Sequence, residues 1–159
     1  VETLTFVHVV LSLVGIMTGF IVVALMLSGA PIAGWNAFFL ISTILTSVTG
    51  FLFPSNVFLP SHVVGVISLI MLAVAVFAVW GRGLSGAWRG IYVGCAVLAL
   101  YLNVFVAVVQ SFGKFAYLRQ FAPTGTEAAF VVTQAAVLVV FVVLGIAAVR
   151  RYHPVIAAR

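Results

Sequence analysis

Five apolar runs of membrane-crossing length, separated by short turn-forming breaks, constrain this chain more than any other feature of it. An α-helix needs roughly 20 apolar residues to cover about 30 Å of hydrocarbon. Such runs fall at residues 4–27, 35–53, 61–80, 88–112 and 128–149. Gly29, Ala30, Pro31 and Gly34 break the first pair, and Pro54, Ser55, Asn56 and Pro60 break the second. Pro60 suits the first turn of a new helix, where its missing N–H costs nothing. A short polar turn from Gly81 to Gly86 follows the third run. The longest connection, 113–127, mixes Lys114, Arg119 and Gln120 with Phe115, Tyr117 and Phe121, and reads as an interfacial loop or half-turn. The expected fold is all-α, a five-helix transmembrane bundle forming one domain over residues 1–159. A four-span count would require one run to be a buried re-entrant segment.

Composition excludes the soluble alternative. Only 6% of the residues are charged, against about 25% in an ordinary soluble domain. They comprise seven Lys or Arg and two Glu, with no Asp. The net charge of +5 comes from scattered residues without a basic stripe, which argues against nucleic acid as a partner. A single cysteine, Cys95, rules out an internal disulfide and a cysteine metal cage, and reads as a packing residue.

Five spans would place the termini on opposite sides. Arg82, Arg89, Arg150, Arg151 and Arg159 then share one side, while Lys114, Arg119 and both glutamates share the other. The positive-inside rule makes the C-terminus cytoplasmic and the N-terminus outside. Trp35, Trp80 and Trp88 all fall at the expected cytoplasmic ends, where an aromatic belt sits. Arg89 beside Trp88 is expected to snorkel to that interface, and Arg150, Arg151 and His153 to anchor it at lipid headgroups. The first run lacks a basic leader and a small-residue cleavage site, so it is read as a retained helix.

Polar side chains inside a membrane are costly and face the bundle interior. In the first span His8, Ser12, Gly15 and Gly19 follow a 4-3-4 spacing that stacks them on one face, and Gly15 with Gly19 permits close helix approach. In the third, His62 shares a face with Gly65 and Leu69. The second carries Thr43, Thr46, Ser47 and Gly50 on a stripe, with Thr49 beside it. Asn103 and Gln110 are seven apart in the fourth span, as are Glu127 and Gln134 at the start of the fifth, with Phe141 a further seven along. Depth counting puts His8, Thr46, Ser47, Thr49, His62, Gln110 and Gln134 within roughly 15 Å of the outer boundary. A polar pocket in the extracytoplasmic half is expected. The plainer reading is that these groups are interhelical hydrogen-bond glue.

Two chemistries suit such a pocket. His8 and His62, each near a glycine (Gly15 and Gly65), are candidate axial ligands of a b-type haem, with Lys114 and Arg119 available to its propionates. A quinone would use His8 or His62 with Gln110, Gln134 and Tyr101 as hydrogen-bonding groups. Thr46, Ser47 and Asn103 complete the candidate lining. With two histidines and at most Glu2 or Glu127, a four-ligand metal set is not expected. No nucleophile–base–orienter set and no phosphate loop is visible, so an isolated enzyme is disfavoured.

The segments Thr46-Ser47-Val48-Thr49-Gly50-Phe51-Leu52-Phe53-Pro54, Leu59-Pro60-Ser61-His62-Val63-Val64-Gly65 and Leu100-Tyr101-Leu102-Asn103-Val104-Phe105-Val106 carry a resemblance. Through them the chain resembles a group of small uncharacterised multi-pass bacterial inner-membrane proteins. That resemblance implies a bacterial inner-membrane location and no particular activity. The functional expectation is an integral membrane subunit of a redox or respiratory assembly holding haem b or quinone. Its alternatives are a non-catalytic scaffold or a small-molecule carrier. The partners expected are the lipid bilayer and other membrane subunits or further copies of the chain.

Overall fold

The computed structural model describes residues 2–54 and 60–154, and all regular structure among them is helical. Helix α1 spans Glu2–Ser28, α2 Ala33–Gly50 and α3 Pro60–Val76, which continues as a π-helical turn over Phe77–Gly81. Helix α4 spans Ala87–Lys114, the single turn α5 Ala116–Arg119 and α6 Ala128–Arg151. Ser55, Asn56 and Arg159, used in the sequence reading, lie outside the described residues.

Among the described residues four helices are long and apolar enough to cross a membrane: α1, α3 with its π turn, α4 and α6. Helix α2 has 18 residues and includes Asn36 and five hydroxyl side chains. It stops at Gly50, short of the expected Phe53, because the Phe51 and Leu52 amides tighten onto the Val48 and Thr49 carbonyls. The 113–127 connection does contain a helical turn, and its aromatics Phe115, Tyr117 and Phe121 are exposed.

Contacts between residues fix how the helices run. His8 meets Thr49 and Gly19 meets Phe39, so α1 and α2 are antiparallel. Ser47–Ser68 with Phe51–His62, Ser12–Asn103 with Gly19–Leu100, and Gln134–Phe105 with Phe141–Tyr101 make α2/α3, α1/α4 and α4/α6 antiparallel too. Helix α4 is the hub, packing on α1, α2, α3 and α6. Among the described residues α1 and α3 do not meet; α2 lies between them.

Small residues decide where backbones approach, since lipid tails solvate an apolar side chain as well as protein does. Gly19 is such a position, with Leu100 of α4 and Phe39 of α2 closed over it. Helix α6 touches the bundle through a seam of Gln134, Phe141 and Ala148, seven residues apart, and most of its other apolar side chains face outward.

At the end bearing Arg82, Arg89, Arg150 and Arg151, called here the arginine end, polar groups tie the helices. The Tyr92 hydroxyl donates to Asn36 Oδ1 at 2.6 Å, with both residues buried. Arg89 does more than reach an interface: its Nη1 donates to the Val149 and Tyr152 carbonyls at 2.8 and 2.6 Å, capping the C-terminus of α6. Arg82 lies over the Trp88 ring at 5.6 Å. Between them the chain turns through positive φ at Gly83, Leu84 and Gly86. Leu84 holds this uncommon conformation because its amide bonds Ala78 O at 2.9 Å while its side chain packs on the core.

Candidate functional site

A polar track follows the α1 face expected from the 4-3-4 spacing and continues onto α2 and α4. At its outer end the His8 Nδ1 lies 2.9 Å from Thr49 Oγ1. The Thr49 oxygen also lies 2.8 Å from Leu45 O and 3.1 Å from Thr46 O, either of which can accept its one proton. With that proton on a carbonyl, the oxygen accepts from a neutral His8 ring protonated at Nδ1, the tautomer that leaves the Nε2 lone pair available. Phe53 meets the ring edge-on with centroids 5.2 Å apart, and the glycine at 50 leaves space beside Cε1.

One turn deeper, the Ser12 hydroxyl donates to Asn103 Oδ1 at 3.2 Å. A methyl group on Gly15 would stand 3.0 Å from both Asn103 Nδ2 and Thr43 Oγ1, two buried atoms without a hydrogen-bond partner. Gly15 thus lies where two polar side chains from different helices converge. Buried polar atoms are seldom left unpaired, so this pair marks unused hydrogen-bonding capacity in the middle of the bundle.

The remaining candidates separate. His62 stacks on Phe51 at 5.4 Å with 15° between the ring planes, and a Cβ at Gly65 would fall 2.9 Å from that same phenyl ring. Gly65 makes room for Phe51. The two imidazoles thus pack against different residues of the segment that ends α2, His8 on Phe53 and His62 on Phe51. Thr46 turns its hydroxyl onto Ser42 O of its own helix at 2.8 Å. Ser47 bonds Ser68 across α2 and α3 at 3.2 Å. Gln134 donates to Phe105 O at 3.2 Å, and its Oε1 is buried without a partner.

Gln110, expected in the pocket, is exposed. Because Ser12 pairs with Asn103 on an antiparallel helix, position 110 falls level with the first turns of α1, where the bundle ends. Among the described residues no three metal-ligating side chains gather. Asn36, Ser42, Tyr92 and Ser68 were not among the expected site residues. Asn36 and Tyr92 carried a signal, since each is an isolated polar side chain in the arginine half of its run.

Outside the bundle, the Glu127 carboxylate preceding α6 folds back on its own turn. It accepts from the Thr124 amide (3.0 Å) and hydroxyl (2.8 Å) and from the Thr126 amide (3.0 Å). Desolvation pushes this carboxyl up, but the hydrogen bonds outweigh it and hold the group down at about 2.

Comparison with protein-family models, curated proteins and solved structures finds no match to this chain.

Proposed function

We propose that this chain is an integral membrane subunit of a redox assembly that holds a quinone-class headgroup against His8. The observation that carries the reading is the His8–Thr49 contact: with the Thr49 proton on the Leu45 carbonyl, the imidazole proton sits on Nδ1 and Nε2 is an acceptor suited to a quinol hydroxyl. A protonated headgroup needs such an acceptor, an aromatic wall, which Phe53 supplies, and access from lipid, which a half-buried His8 near a bundle end allows. In this reading α2 spans with the four more apolar helices, the N-terminus faces outward, and the membrane is a bacterial inner membrane. The arginines gathered at one end support that orientation, and the resemblance in sequence supports that location.

The test is extraction of the purified protein. Wild type purified under reducing conditions should carry stoichiometric quinol, recovered as quinone after extraction, and His8→Ala should lose it. Thr49→Val should weaken retention by about fivefold to tenfold, the worth of one neutral hydrogen bond. Quinone no higher than in the surrounding lipid, or unchanged in His8→Ala, refutes the proposal. A Soret band abolished by His62→Ala would put haem in its place. A second reading, a scaffold whose polar groups only specify packing, is favoured by the interhelical bonds Ser12–Asn103, Ser47–Ser68 and Gln134–Phe105. It stands alone if His8→Ala changes no bound molecule.

A further inference from the structure

The face of α4 and α6 nearest the arginine end carries a groove of about 390 Å³. Its walls include Gly94 and Leu98 of α4 and Leu138, Val142 and Ile146 of α6, and it ends at Arg150. A second hollow shares Ile146 and Arg150 and adds Arg151. The groove arises because α6 seats on the bundle through its narrow seam, so the positions flanking that seam stay open. Gly145 lies at the seam, where a Cβ would sit in ordinary contact with Val97, whereas a Cβ on Gly94 would meet nothing within 4 Å.

We infer that this groove binds one acyl chain of an anionic phospholipid whose phosphate is held by Arg150 and Arg151. Length chooses between occupants. From Leu138 to Arg150 the wall runs about 18 Å at 1.5 Å per residue, close to half of a hydrocarbon core of about 30 Å. A partner helix would need the full thickness; a lipid of one leaflet needs half. Charge selects the headgroup. Both arginines are exposed, and the two glutamates of the chain, Glu2 and Glu127, lie at the opposite end. The carbonyls at the C-terminus of α6 would repel a phosphate, but Arg89 already occupies those of Val149 and Tyr152. The inference requires only that the helices lie in a membrane and is independent of the His8 reading.

Native mass spectrometry of the full chain in mild detergent, titrated with phosphatidylglycerol or with phosphatidylcholine of the same acyl chains, tests it. Phosphatidylglycerol should bind at least tenfold more tightly. Each arginine replaced by alanine should cost about fivefold, while the Arg150→Lys/Arg151→Lys variant should retain most of the preference. Gly94→Leu should fill the groove and weaken both lipids. Gly94→Ala, whose methyl meets no neighbour, serves as the folded control and should bind nearly as wild type. Equal affinity for the two lipids, or intact binding in Gly94→Leu, overturns the proposal. So does a Gly94→Leu variant that changes oligomeric state at constant lipid count, since the groove would then belong to a second copy of the chain.

Discussion

Gly19→Ala should loosen the bundle although it adds a single methyl group and removes a helix-disfavouring residue. The added Cβ would lie 2.6 Å from Leu100 Cδ1 and 2.9 and 3.0 Å from Phe39 Cε2 and Cδ2. Carbon atoms in ordinary contact stand about 3.5–4.0 Å apart, so roughly 1 Å must be opened on two sides at once. Neither neighbour has free space to swing into, because Leu100 and Phe39 are themselves fully buried, one on α4 and the other on α2. Overpacking of this kind costs about 1–3 kcal/mol, and the better helix propensity of alanine returns about 1 kcal/mol. The net expectation is a destabilisation of about 0–2 kcal/mol. Gly94→Ala is the matched comparison, since it gains the same propensity and meets no atom within 4 Å. Reversible unfolding in mixed micelles, followed by far-ultraviolet circular dichroism, should separate the two variants by about 2 kcal/mol. That is roughly 30-fold in the unfolding equilibrium at 1.4 kcal/mol per tenfold. If Gly19→Ala proves as stable as Gly94→Ala, the close approach of α1 to α2 and α4 at this level is not what holds them, and the packing argument fails.

Two further outcomes follow from particular contacts. Tyr92→Phe should destabilise by about 1–3 kcal/mol because it leaves the buried Asn36 Oδ1 unpaired, and adding Asn36→Leu should recover much of the loss; a double-mutant cycle with no coupling would contradict the pairing. For Glu127 the folded-state carboxyl is held at about 2 against its ordinary 4.5. A depressed pKa means that the turn's stabilisation is complete above pH 4.5 and is lost as the pH falls through about 2. Carboxyl carbon NMR across that range should locate the titration near 2 in wild type and higher, but still below 4.5, in Thr124→Val, which keeps the backbone donors; a wild-type midpoint at 4.5 would rule the hydrogen-bonded turn out.

How far the site could be read from the sequence follows from which relations a single helix fixes. Spacing along α1 is such a relation: His8, Ser12, Gly15 and Gly19 do share a face, and that face does meet polar groups and close-packed backbone. The run of Gln134 to Phe141 is another, since both are buried on one seam of α6. What each face meets is a different matter. In a soluble helix the buried side announces itself by its apolarity, but lipid and protein interior are equally apolar, so Val139 facing outward and Phe141 facing inward are chemically alike. Pairings between helices, such as Asn36 with Tyr92 and Arg89 with the end of α6, had no one-dimensional signal beyond the isolation of the polar residue.

The two histidines show the consequence for function. Their equal depth is a property of each helix taken separately, and depth alone makes them look like partners. Whether two side chains at one depth can grip one ligand depends on which helix stands between them. Here α2 does, and its terminal turn gives each imidazole its own neighbours: Thr49 and Phe53 for His8, Phe51 for His62. The same intervening segment that separates them supplies the Thr49 hydroxyl that meets His8 Nδ1. The turn between the two rings therefore gives each histidine a separate set of contacts, and it is the set at His8, a hydroxyl and an aromatic edge, on which the proposal of a quinol headgroup rests.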